Sequence, residues 1–137
     1  MALKVETMLV YIVDDDESVR KGLARLLRSA GFESRAYASP ESFLAEVRNE
    51  DRACILIDIT MPGMNGLELV GRLKEMGIAM PVIAISARDD EVRNLAHDSG
   101  MRFFLRKPVD DQALIDAINW VMQEETGRHL HEGVRAQ

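Results

Sequence analysis

Three stretches of this chain are apolar without a break: Met8 to Val13, Ala53 to Ile57 and Pro81 to Ile85. Runs this short, with β-branched residues and no polar alternation, predict strands buried on both faces, the habit of a parallel sheet. Glu33 to Ala38 alternates loosely and is more polar, which predicts an edge strand. Arg102 to Lys107 predicts a last strand, stopped by Pro108. Between the strands the period changes to that of a helix. Val19, Leu23, Leu26, Leu27 and Ala30 form the first apolar stripe, and Gly31 stops it. Ser39-Pro40 starts a second helix, with Ser as cap and Pro at the first helical position, and Phe43, Leu44 and Val47 on its apolar face. Asn65 caps a third helix carrying Leu69, Val70, Leu73 and Met76, closed by Gly77. A more polar fourth spans roughly Asp89 to Ser99, with Val92, Leu95 and Ala96 as its stripe and Gly100 at its end. Asp110 and Asp111 begin a fifth, with Leu114, Ile115, Ile118, Val121 and Met122 on one face.

The order is (βα) five times. Short connections and right-handed crossovers then require a doubly wound α/β fold, a parallel sheet covered on both sides. After Glu125 the periodicity is lost. Residues 1–125 are expected to form the domain, and 126–137 a polar tail or severed linker.

Composition narrows the class. At 137 residues one domain is expected, long enough to bury a core. The net charge of −6 argues against a broad nucleic-acid footprint, so no direct nucleic-acid binding is expected of this domain. The single cysteine, Cys54, lies inside an apolar run and reads as a core residue. It allows no internal disulfide and fits a reducing compartment. Met1 to Thr7 has no long apolar stretch, and Met8 to Val13 is too short to span a bilayer. A cytoplasmic protein with no membrane association is therefore expected. His129 and His131 in the tail read as solvated, and Trp120 as packing.

The chemistry lies where the apolar runs stop. Parallel strands put all their carboxyl ends on one edge of the sheet. Those ends carry Asp14-Asp15-Asp16, then Asp58, Ser86 and Lys107. One or two acids after the first strand suit a helix cap and the helix dipole, but Asp14 to Glu17 is four in a row. With the flavodoxin-like strand order 2-1-3-4-5, the first and third strands are neighbours at the switch point, and Asp14, Asp15 and Asp58 share one cleft. Three carboxylates that close must raise their pKa values or be neutralised by a cation. Hard oxygen donors with no His or Cys nearby favour Mg²⁺. Asp58 is then a candidate nucleophile for an aspartyl-phosphate. Lys107 would pair with one phosphoryl oxygen, and Ser86 would hydrogen-bond another.

Four segments carry a resemblance. Val13-Asp-Asp-Asp-Glu-Ser-Val-Arg20, Ile57-Asp-Ile-Thr-Met-Pro-Gly-Met-Asn-Gly66, Ile85-Ser-Ala87 and Lys107-Pro108, in this order and spacing, are similar to the receiver domain of bacterial two-component response regulators. The likeness covers roughly Met8 to Glu125. The opening segment, through Tyr37 to Leu44, most resembles receivers of nitrogen-fixation and quorum-type regulators. The resemblance implies a phosphorelay protein, not an enzyme beyond its own phosphorylation and dephosphorylation, with Asp58 as phosphoacceptor. It implies Mg²⁺ held by Asp15, Asp58 and the backbone carbonyl of Thr60, and by Asp14 through water. Ser86 would be the switch hydroxyl, Phe104 the coupled aromatic, and Lys107 the motif lysine before a cis Lys107–Pro108 bond. Asp16 is left over and reads as a cap. Thr60 and Arg88 fall at the positions that influence phosphate lifetime. The implied partners are a histidine kinase or phosphotransfer protein, and a second copy through the surface of the fourth helix, fifth strand and fifth helix. The implied output is transcription. Met101, Phe103 and a short Ser86–Gly100 segment depart from the family pattern, and bear on partner geometry.

Two other classes fit less well. A phosphatase of the haloacid-dehalogenase-like group would need Asp-x-Asp, and Thr60 stands at the second acid. A flavin or nucleotide module would cradle phosphate with Gly, Ser or Thr after the first strand, where this chain has three Asp.

Overall fold

The structure, a computed structural model, describes residues 8–59, 61, 66–87 and 103–130. Five strands form one parallel sheet: β1 (Leu9–Val13), β2 (Glu33–Tyr37), β3 (Ala53–Asp58), β4 (Val82–Ser86) and β5 (Phe103–Arg106), in the order β2-β1-β3-β4-β5. The three uninterrupted apolar runs become the three inner strands, every residue of which is buried. The polar run becomes an edge, β2, as its composition requires.

Alternate residues of each inner strand feed opposite cores. Tyr11, Val13, Ile55, Ile57 and Ala84 meet α2 (Pro40–Glu46) and α3 (Gly66–Glu75) through Phe43, Leu69, Val70 and Leu73. Val10, Ile12, Cys54, Leu56, Ile83 and Ile85 meet α1 (Glu17–Ser29) and the C-terminal helix (Asp111–Leu130) through Leu27, Leu114, Ala117, Ile118 and Val121. Each fully buried aliphatic side chain contributes about 1.5–3 kcal/mol. Cys54 is one of these core residues, and burial pushes its thiol up to about 12.

The helix starts follow the expected chemistry. Ser39 Oγ accepts from Ser42 N at 3.1 Å, with Pro40 opening α2. Asp110 Oδ2 accepts from Ala113 N at 2.9 Å and caps the C-terminal helix. Gly31, at φ +93°, takes the left-handed turn that releases the chain from α1 into β2. Two expectations change. Ala30, assigned to the apolar stripe of the first helix, is the exposed C-cap of α1, and of that stripe only Leu27 is fully buried. The C-terminal helix also continues through Leu130, beyond the end of its apolar stripe. Good helix formers such as Gln123, Glu124 and Glu125 extend it. The fourth helix expected at Asp89–Ser99 and the cap at Asn65 lie outside the described residues, as do Arg88 and Met101. Among the described residues, no helix is long and apolar enough to cross a membrane.

Candidate functional site

The register of the sheet assembles the site. Val13 pairs with Ile57, so the next residue of each strand, Asp14 and Asp58, emerges side by side at the carboxyl edge. Asp58 pairs with Ile85, one residue before Ser86. Ser86 pairs with Arg106, and the Lys107 amide donates to the Ser86 carbonyl at 2.9 Å, carrying the ladder one step further. Four strand ends thus converge on one edge.

Asp14, Asp58 and Ser86 are the polar residues buried there, at 2%, 4% and 0% exposure, while Asp15 is exposed. One carboxylate oxygen each from Asp14, Asp15 and Asp58 lies within 4.8 Å of the others. Lys107 Nζ donates to Asp58 Oδ2 at 3.0 Å. Three acids and one base therefore share the cleft. The lysine is half-buried; burial pulls its pKa down, but the hydrogen bond and charge of Asp58, with Asp14 and Asp15 behind it, outweigh that and raise it. Burial pushes the Asp14 carboxyl above its ordinary value, and the charges of Asp58 and Asp15 add to this, against the Asp16 amide and Lys107.

Asp14 is anchored at nearly every polar atom. Its amide donates to the Tyr37 carbonyl at 3.1 Å, Oδ1 accepts from Asp16 N at 2.9 Å, and its carbonyl accepts from Arg20 Nη1 at 2.9 Å. Oδ2 is buried and has no hydrogen-bond partner among the described residues. An orphaned, buried anionic oxygen on a carboxylate that clusters with two others is a place for a cation. The donor set, all carboxylate oxygen, suits a hard divalent ion such as Mg²⁺.

Asp16 does not join this cluster. Its Oδ1 caps α1, accepting from Ser18 N at 2.9 Å, Val19 N at 3.3 Å and Ser18 Oγ at 2.7 Å. Those hydrogen bonds, the Ser18 hydroxyl first, hold its carboxyl below the ordinary value. Phe104 is half-buried on β5 against the α2/α3 core. The Lys107–Pro108 bond is cis. Thr60 lies outside the described residues, and so does the side chain of Phe103.

Two features were not visible in the motifs. Arg20, from the first turn of α1, reaches back to the Asp14 carbonyl. Gly66 opens α3 against Ile59, the residue after Asp58. A Cβ at Gly66 would run into the Ile59 side chain, 2.9 Å from its Cβ and closer still to Cγ2. Glycine lets the start of α3 approach Ile59 closely.

The chain is similar to known proteins in sequence and in fold. The sequence pattern of the response regulator receiver domain matches residues 10–119. The transcriptional regulatory protein FixJ of Azorhizobium caulinodans is 35% identical over 133 residues, which cover 96% of this chain and 63% of that protein. Nodulation protein W of Bradyrhizobium diazoefficiens is 34% identical over 128 residues, covering 93% of this chain and 56% of that one. The chain thus spans 63% and 56% of the lengths of these two relatives. The crystal structure of FixJ-N superposes with a TM-score of 0.75 at 33% identity, covering 87% of this chain and 96% of that one.

Proposed function

The chain belongs to the response regulator receiver family, and from that premise we propose that it is a phosphorelay switch that takes a phosphoryl group onto Asp58. The observation that carries this reading is the set of three converging carboxylates with Lys107 Nζ 3.0 Å from Asp58 Oδ2 and an unsatisfied Asp14 Oδ2.

Asp14, Asp15 and Asp58 would hold Mg²⁺, with the Thr60 carbonyl as a further oxygen. Bound there, the ion would neutralise charge on the carboxylates and on the incoming group. The rest falls to the chain itself. An Asp58 oxygen attacks phosphorus of a phosphohistidine. The P–N bond breaks, its electron pair returns to the imidazole, and that ring takes up a proton. The Lys107 ammonium moves from Asp58 to a phosphoryl oxygen, since the phosphorylated carboxyl group has lost its own charge. The Ser86 hydroxyl donates to another, and Phe104 follows it in the switched state. Such a site supports acquisition and loss of one group rather than turnover of a free substrate.

The phosphoryl donor is a histidine kinase or phosphotransfer protein, in a cytoplasmic setting. The output is transcription, a reading supported by the names of the relatives. Dimerisation would use β5, the C-terminal helix and the segment between β4 and β5. Intact mass after incubation with acetyl phosphate tests the central step. One phosphoryl adduct is expected on wild type with Mg²⁺, and none on Asp58→Asn or without the ion. An Asp58→Asn protein that accepts phosphate as well as wild type refutes it.

A further inference from the structure

We infer that Arg20 is a positioning residue for the acidic cluster: its guanidinium fixes the peptide between Asp14 and Asp15 so that both carboxylates turn toward Asp58. This rests on the cation-dependent reading of the cluster given above.

Asp14 lies one residue beyond the last paired residue of β1. The sheet therefore no longer dictates the direction of the peptide that follows it. Its amide is still held, by the Tyr37 carbonyl, and its Oδ1 by the Asp16 amide. Its carbonyl is held by a side chain, Arg20 Nη1 at 2.9 Å. That carbonyl belongs to the Asp14–Asp15 peptide, whose rotation would swing the Asp15 side chain. Asp15 is exposed, so burial does not hold its side chain in place. Its carboxylate is nevertheless within 4.8 Å of the other two. Asp16, capping α1, ties the far end of the acid run to the same helix that carries Arg20. Arg20 and Asp16 thus grip the loop from one rigid element on either side of Asp15.

Position and charge act in opposite directions here. A guanidinium beside the cluster repels a bound cation, so losing its charge alone should tighten cation binding. Losing the hydrogen bond should loosen it, because outer hydrogen bonds that orient ligands are worth about tenfold or more in metal affinity. The sign of the change therefore separates the two effects.

The test is a Mn²⁺ titration, with free Mn²⁺ counted by electron paramagnetic resonance, on wild type, Arg20→Met and Arg20→Lys. Urea midpoints in EDTA establish that each variant is folded. Arg20→Met is expected to bind about tenfold more weakly. Arg20→Lys, which keeps the charge and one donor, is expected to recover most of the loss. If Arg20→Met does not fold, Arg20→Gln, too short to span the same distance, takes its place with the same expectation. Equal or tighter binding by a folded Arg20→Met or Arg20→Gln overturns the inference. Wild type that fails to bind Mn²⁺ overturns the cation site itself, which is a different failure.

Discussion

Replacing Asp14 by Asn should stabilise the cation-free protein, although Asp14 is buried and hydrogen-bonded. Its Oδ1 would go on accepting from the Asp16 amide. The orphaned Oδ2 would become an amide donor on a side chain that clusters with two carboxylates. Two unit charges at most 4.8 Å apart repel by about 1 kcal/mol or more in water and about 3.5 kcal/mol or more at an effective dielectric of about 20. The Asp14–Asp58 pair, buried, sits toward the larger figure; Asp14–Asp15 sits toward the smaller, because Asp15 is exposed. Removing the unsatisfied anionic oxygen relieves about 1–3 kcal/mol more. Against these stands the lost attraction between Asp14 and Lys107. The net expectation is a gain of about 1–3 kcal/mol, or roughly 3–5 °C in Tm per kcal/mol for a domain of this size. Urea denaturation in EDTA measures it. The same titration in saturating Mg²⁺ should raise wild type more than the variant, because the ion binds only the folded cluster. The pH dependence has a definite sign. A carboxyl with a raised folded pKa penalises the native state when ionised, so wild type should regain ground on the variant as pH falls through that raised value toward 3.8. An Asp14→Asn protein less stable than wild type in EDTA by more than about 1 kcal/mol would refute the repulsion argument.

Three further outcomes are expected. Gly66→Ala should cost about 1–3 kcal/mol by driving a methyl into Ile59, and should slow phosphate acceptance because that contact adjoins Asp58; unchanged urea midpoint and acceptance rate would contradict it. Lys107→Met should cost about 1–3 kcal/mol at neutral pH by removing the ammonium that pairs with the buried Asp58 carboxylate. Because the lysine's folded pKa is raised, that stabilisation is present below its ordinary 10.5 and is lost as pH rises through the folded value, so the alkaline unfolding limb should be shallower in the variant. Asp16→Ala should lower the urea midpoint at neutral pH; since its folded pKa is depressed, the difference should shrink as pH falls below 3.8 through the folded value.

The sheet was readable because its information is local. Five strands in a parallel array need buried runs, and Met8–Val13, Ala53–Ile57 and Pro81–Ile85 can be little else. Their terminal polar residues mark the carboxyl edge, which is why Asp14, Asp58, Ser86 and Lys107 could be grouped before any register was known. Asp16 could be told from its neighbours because the family motif, matched by its spacing back from Val19-Arg20, leaves it over, and its side chain does cap α1. Arg20 could not be read in this way: its partner is a backbone carbonyl, which every residue offers. The Gly66–Ile59 contact likewise depends on how closely α3 approaches the strand end, and glycine in a turn has many other causes. Ala30 was misassigned because an apolar stripe at helical spacing does not say where the sheet beneath it stops. The reach of the C-terminal helix to Leu130 was missed because helix propensity, not amphipathic periodicity, carries its last turns.

The most direct measurement is to trap the phosphoryl group where it lands. Borohydride reduces an acyl phosphate on Asp to homoserine, and peptide mass spectrometry then reads the position. After treatment with acetyl phosphate and Mg²⁺, homoserine at residue 58, with every other Asp intact, is the expected result. Reduction at Asp14 or Asp15, or at no aspartate despite a phosphoryl adduct on the intact protein, would contradict the assignment of Asp58 as the acceptor.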